Sequence, residues 1–257
     1  MTVALQAVKL TKAFGALVAV RDVSLEIDEG ERRVILGTNG AGKTTLLNLI
    51  AGDITSTSGT IRFFGEHIGG LSSYRRARIG VSRTYQKSHV LSGLTVLDNL
   101  YLALRGVQPN RFSVMWPGSD DIHKARAREL AAEMGLSIKV DVSAGELSHG
   151  EQRQLEIAMA LAGSPRLLLL DEPAAGLSPA ERPLLTAMLL ALPRSVTMIL
   201  IEHDMDVALP VADRVTVMDE GAVVFEGSPQ ETASSPLVQS LYLGNIGRDD
   251  VVADTSS

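Results

Sequence analysis

Residues 37–44 read GTNGAGKT, the spacing G-x-x-x-x-G-K-[ST]. They follow the apolar run Arg33–Leu36 and open the apolar helix TTLLNLIAG, the strand–loop–helix setting that this motif requires. Gly37, Gly40 and Gly42 let the backbone fold tightly enough for N–H groups to point inward at phosphate oxygens. The helix that follows adds its positive end. Lys43 supplies a point charge for the β and γ phosphates, and the hydroxyl of Thr44 can ligate Mg²⁺. A plain glycine-rich turn has no need of Lys-Thr at this place. A nucleoside triphosphate is expected here.

Further along, RLLLLDEP (166–173) carries four consecutive leucines, the pattern of a strand buried on both faces. It ends in two carboxylates at the carboxyl edge of the sheet, where α/β proteins bind ligands. Asp171 is placed to hold Mg²⁺ through water, and Glu172 to face an attacking water. His203, in ILIEHD, ends a second buried strand expected beside the first, within reach of a γ-phosphate. Gln86, in RTYQKS, falls where the chain changes character.

Between these lies LSHGEQRQLEIAMAL (147–161). Ser148 and Glu151 have capping-box spacing, and Leu155, Ala158, Met159 and Ala162 recur at helical period. A helix is expected to start near Ser148. Gly150 falls inside its first turn, where glycine costs about 1 kcal/mol against alanine. A helix start with a small residue can receive an anion. Capping alone leaves that anion unnamed.

Around the motifs the chain alternates strands and helices. VALQAVKLTKAF, VRDVSLEID, ERRVILG and GTIRFFG read as strands; from Arg75 to Met134 the character changes, with the helical LTVLDNLYLALRG and IHKARARELAAEMG around the irregular RFSVMWPGSDD. After Ser164-Pro165 the strand–helix rhythm returns and ends in RVTVMDEG and AVVFEG. Apolar strands alternating with helices imply a mostly parallel sheet covered on both faces. The tail GRDDVVADTSS is expected to fray. Arg75, Arg76, Arg78 and Arg83 form a basic cluster, read as a solvated or intramolecularly salt-bridged face, with contact to a membrane partner or anionic headgroups as the sharper alternative.

The bulk numbers set limits. At 257 residues the chain can enclose one large core or two lobes. A net charge of -6, 4% aromatic residues and a single Trp argue against a nucleic-acid surface. The absence of cysteine excludes disulfides and thiolate metal sites. The first residues lack the pattern of a signal peptide, and the apolar runs fall short of the ~20 residues that span a bilayer. A cytoplasmic protein is expected, reaching a membrane only through a partner.

In this order the pieces resemble the nucleotide-binding subunit of ATP-binding cassette transporters. LSHGEQ resembles that family's signature, usually written LSGGQ, and separates the chain from P-loop kinases and GTPases. The resemblance covers nearly the whole chain and implies an α/β fold. That fold is a P-loop NTPase (RecA-like) core with a mostly parallel sheet, an N-terminal antiparallel β subdomain and an inserted α-helical subdomain. The expected parts are 1–87 (β subdomain and first part of the core), 88–162 (helical, ending in the signature helix), 163–230 (rest of the core) and 231–257 (extension), with 1–245 as one cassette.

The resemblance also assigns roles. Phe14 would stack on adenine, and Gly37, Thr38, Asn39, Gly40, Ala41, Gly42, Lys43, Thr44 and Thr45 would bind ATP. Thr44, Gln86 and Asp171 would hold Mg²⁺; Glu172 would be the catalytic base, with His203 as switch and Gln86 in the coupling loop. Ser148, His149, Gly150 and Glu151 would act on the nucleotide of a second cassette packed head to tail, which names the missing anion. Here His149 replaces the first signature glycine, and Ser178 of AGLS, the D-loop, stands where Asp is usual.

Implied partners are that second ATPase subunit, identical or homologous, integral permease subunits and, indirectly, a substrate-binding protein. The implied place is the inner face of the membrane. With DEPAAGLSP, IEHDM and a terminal LYLG, the signature helix resembles the importer branch for branched-chain amino acids, urea and short amides. The rival readings are an exporter of the lipopolysaccharide-extracting type, a non-transport cassette and a P-loop phosphotransferase.

Overall fold

The computed structural model describes residues 2–84, 90–106 and 122–243. The loop RFSVMWPGSDD and the tail GRDDVVADTSS lie outside the described residues.

β1 (Val3–Phe14) and β2 (Leu17–Asp28) form an antiparallel hairpin; β2 is buried at the alternate positions Val23, Leu25 and Ile27, and β1, whose register shifts at several places, at Ala4, Leu5, Ala7 and Leu10. β3 (Arg32–Gly37) is buried at every residue and belongs to a different sheet. The strand reading of this stretch stands, and its Arg33 is fully buried, bonded to Glu31 at 2.6 Å, Glu226 at 2.7 Å and the carbonyl of Glu26 at 2.8 Å. A guanidinium enters a core only when its donors are taken.

α1 (Lys43–Ala51) then leads to β4 (Ser58–Phe63), which pairs with β1, and to the short β5 (Glu66–His67). Next come α2 (Ser73–Arg78) and β6 (Val81–Arg83). The last was not singled out in the sequence, though it lies within residues 1–87, expected to belong to the β subdomain and core. Three residues are too few to show an alternation, and β6 exists because it pairs in parallel with Leu167–Leu169.

The helices α3 (Val96–Gly106), α4 (Ile122–Glu133) and α5 (His149–Leu161) share one apolar cluster, with Leu100, Leu104, Leu130, Leu155 and Ala158 inside it. The remaining elements are β7 (Leu167–Asp171), α6 (Arg182–Ala191), β8 (Thr197–Ile201), α7 (Met205–Val211), β9 (Arg214–Asp219), β10 (Ala222–Gly227), α8 (Pro229–Ser234) and α9 (Pro236–Leu243). The main sheet has the order β10-β9-β3-β8-β7-β6, parallel except for β10 at one edge; the other has the order β2-β1-β4-β5.

Alternation decides which side each core residue serves. On β7, Leu168 and Leu170 join the cluster on the side of α3–α5, while Leu167 and Leu169 join the one against α1 and the antiparallel sheet. β8 repeats this, Met198 and Leu200 on one side, Ile199 and Ile201 on the other. Each such buried side chain contributes roughly 1.5–3 kcal/mol. No helix among the described residues is long and apolar enough to cross a membrane.

Candidate functional site

β3, β7 and β8 are adjacent parallel strands, so their carboxyl ends lie at one edge of the sheet. Gly37, Asp171 and Ile201 end them, and everything gathered there follows from that register.

The loop after β3 runs into α1 through Gly42, whose φ is 93°. A Cβ at that residue would lie 2.2 Å from the carbonyl oxygen of Ala19, so both backbone and space demand glycine. Ala19 belongs to the hairpin that ends in Phe14, an exposed ring with the Lys12 ammonium 4.9 Å from its centre. Lys43 is buried and straps the loop, donating to the carbonyls of Gly37 at 2.6 Å and Thr38 at 2.9 Å. Burial pushes its ammonium below the usual lysine range, and the carboxylates of Glu172, Asp171 and Glu202 oppose that shift. Asn39 and Gly40 are exposed at the loop tip, Ala41 is buried, and Thr45 lies in the first turn of α1.

Asp171 has no exposed surface, and the Thr44 hydroxyl donates to its Oδ1 at 3.4 Å. Burial pushes this carboxyl above its ordinary range; the Arg83 guanidinium opposes the shift. Glu172 stands in the left-handed region at φ 47°, a conformation that costs a non-glycine residue and clusters at functional sites. Its N–H is held by the carbonyl of Ile201 at 2.9 Å. Half-exposed His203 brings Nδ1 to 4.0 Å from Glu172 Oε2 and 3.9 Å from Glu202 Oε2. Thus Lys43, Thr44, Asp171, Glu172 and His203 converge, as their places in the sequence predict. Gln86 lies outside the described residues.

The signature stretch stands apart from them. Ser148 caps α5, its hydroxyl accepting from the N–H of Glu151 at 3.3 Å while its own N–H donates to Glu151 Oε2 at 2.9 Å. Lys139 holds the other oxygen of Glu151 at 2.5 Å. His149 is exposed. The N–H of Gly150 donates to Glu181 Oε1 at 3.2 Å, and a Cβ on Gly150 would stand 2.7 Å from that oxygen. In the single chain, then, an anion already sits at this helix start, and it is the chain's own Glu181. Ser178 helps to place it, donating to Glu181 Oε2 from its N–H at 2.9 Å and its hydroxyl at 2.7 Å. Ser148→Ala removes one arm of the capping box and should cost about 1 kcal/mol of stability in urea unfolding; an unchanged midpoint would mean that the cap carries nothing.

Several residues at the site escaped the sequence reading. Glu202 is fully buried and ties two loops together, accepting from the N–H of Ala174 at 2.8 Å and of His203 at 3.2 Å. Burial pushes its carboxyl up, and those two N–H groups oppose the shift. Tyr242, in the terminal LYLG, accepts at its Oη the N–H of Gly37 at 3.0 Å. That motif counted only as a mark of a branch; in the fold it closes the end of β3. Asp219 ends β9 3.4 Å from the Thr38 hydroxyl. Arg83, read only as part of a solvated or intramolecularly salt-bridged face, is salt-bridged to Asp53 and Asp171.

The sequence pattern of the family described as ABC transporter matches residues 20–175. This chain belongs to the ABC transporter family. It is an ATPase of that family, with the phosphate loop, carboxylate pair and signature helix in its expected order. The chain is similar to the high-affinity branched-chain amino acid transport ATP-binding protein BraF of Pseudomonas aeruginosa, 39% identical over 91% of this chain and 95% of that protein. Among solved structures it is similar to the ADP conformation of MJ1267, an ATP-binding cassette of an ABC transporter. The TM-score is 0.85 and the identity 30%, over 95% of this chain and 100% of that one. The cassette MJ0796, solved as a dimer in a post-hydrolysis state with ADP and Pi, is similar at a TM-score of 0.74 and 26% identity, over 88% and 98% of the two chains.

Proposed function

We propose that this chain energises an importer of branched-chain amino acids from the cytoplasmic side of the membrane, as one of two ATPase subunits set against a permease. The observation that carries this reading is the 39% identity to BraF across nearly the full length of both proteins. The MJ0796 dimer with ADP and Pi supports the paired arrangement.

The backbone from Gly37 to Thr45 cradles the phosphates, and Lys43 turns from the Gly37 and Thr38 carbonyls to the γ-phosphate. Phe14 stacks on adenine. The oxygens near Asp171 fit Mg²⁺: a threonine hydroxyl and a buried carboxylate 3.4 Å apart are the hard donors that such an ion would need beside phosphate and water. Thr44, Asp171 and Gln86 would hold that ion, which neutralises charge on the β and γ oxygens when bound. Glu172 orients a water and takes its proton as the water oxygen bonds to the γ-phosphorus and the bond to the bridging oxygen breaks. His203 contacts the γ-phosphate. Ser148, His149, Gly150 and Glu151 close on the nucleotide of the other subunit, with Gly150 exchanging Glu181 for phosphate. Hydrolysis then removes the group that bridged the two chains. The helical part, residues 88–162, moves with closure, and Gln86 passes that movement to the permease.

Reconstituted in vesicles with its permease subunits and substrate-binding protein, the chain should drive ATP-dependent uptake of labelled leucine, isoleucine or valine. Uptake of urea or short amides alone would move the assignment to a sister substrate. ATP-dependent release of lipopolysaccharide without uptake would make it an exporter subunit.

A further inference from the structure

The four arginines grouped by sequence separate in the fold. Arg75 and Arg78 are exposed on α2, while Arg76 is buried and donates to the carbonyls of Leu49 and Ile50, at the end of α1. Arg83 does something different. It ends β6, directly beside β7, with only 8% of its side chain exposed. Its Nη2 donates to Asp171 Oδ2 at 3.0 Å; its Nη1 donates to Asp53 Oδ2 at 2.6 Å and to Asn48 Oδ1.

This guanidinium therefore joins three places that the metal-binding reading needs in register. Asp171 is the buried carboxylate, and Asn48 lies on α1, the helix that carries Thr44 in its first turn. Asp53 follows the end of that helix. A planar fork bridges two acceptors at angles fixed by its own geometry, whereas an ammonium is a rotatable point charge that sets no such angles. A fully buried carboxylate without a partner is costly and tends to rotate or take up a proton. With Oδ2 taken by Arg83, only Oδ1 is left to face the Thr44 hydroxyl.

We infer that Arg83 is a positioning residue, which holds Asp171 with one oxygen towards Thr44 and thereby sets the affinity of the nucleotide complex for its divalent cation. The inference rests on the proposed ATPase site and adds to it a part that touches neither nucleotide nor metal.

The test uses Mn²⁺ as probe, titrated by electron paramagnetic resonance into the full chain saturated with a non-hydrolysable ATP analogue. Nucleotide affinity is measured separately in EDTA. Arg83→Gln should weaken Mn²⁺ binding about tenfold or more and leave metal-free nucleotide affinity within about twofold. Arg83→Lys, which keeps the charge and loses the fork, should fall in between. Parental Mn²⁺ affinity in Arg83→Gln overturns the inference, and so does a gain, which would mean that Arg83 competes with the cation. Should Arg83→Gln not fold, the Lys variant decides: weakened Mn²⁺ binding there supports the inference, and parental Mn²⁺ affinity overturns it. Asp171→Asn separates the two layers. If it binds Mn²⁺ as the parent does, the metal site itself has been misplaced, whatever Arg83 does.

Discussion

Glu172→Gln should reduce steady-state ATP hydrolysis by at least ~100-fold, the lower end of what a positioned general base contributes, while ATP affinity stays within about threefold. Gln keeps the shape of Glu, so it meets the same left-handed backbone and the same N–H bond to Ile201. It loses the ability to take a proton. Phosphate release measures the first effect and equilibrium nucleotide binding the second. The variant should also trap the closed pair, because the bridging γ-phosphate is no longer removed. Its mass with Mg-ATP is therefore expected at twice that of one chain. A variant that turns over at the parental rate would strip Glu172 of its role. A variant that stays single, while the parent hydrolyses fully as a single chain, would remove the shared site.

Lys43→Ala should weaken ATP binding by about 100-fold, measured by calorimetry or displacement of a fluorescent nucleotide. The figure follows from two charge-assisted hydrogen bonds, worth roughly 1.5 kcal/mol each, and from tenfold per 1.4 kcal/mol. Stability should suffer less than affinity. Holding an ammonium in this buried place already costs the fold something, as the direction of its shift indicates, and the two carbonyls that it straps are near the phosphate-binding surface. Retained tight binding would mean that the backbone cradle alone suffices, and the reading of residues 37–44 would lose its cation.

Much of the molecule was legible before any coordinates. The strand β1 spans the same residues that alternation marks out, and α5 begins at the residue after Ser148, where the capping box predicts. These features rest on neighbours within a few residues, where period, cap and turn chemistry act. Four leucines in a row, bounded by Pro165 and the Asp-Glu-Pro turn, read as a strand with both faces covered, and they are one.

The chain's order of residues thus determined most of its elements, the glycine-rich loop 37–44 and the carboxylates at the end of β7. Only the tertiary structure decided which partners meet. Arg83 reaches Asp171 across 88 positions, Tyr242 reaches Gly37 across 205, and Glu181 reaches Gly150 across 31. None of those pairs leaves a periodic trace, because a side chain buried against a distant element obeys sheet order and strand register. The placing of β6 against β7, and of α9 against the end of β3, put those groups within bonding distance.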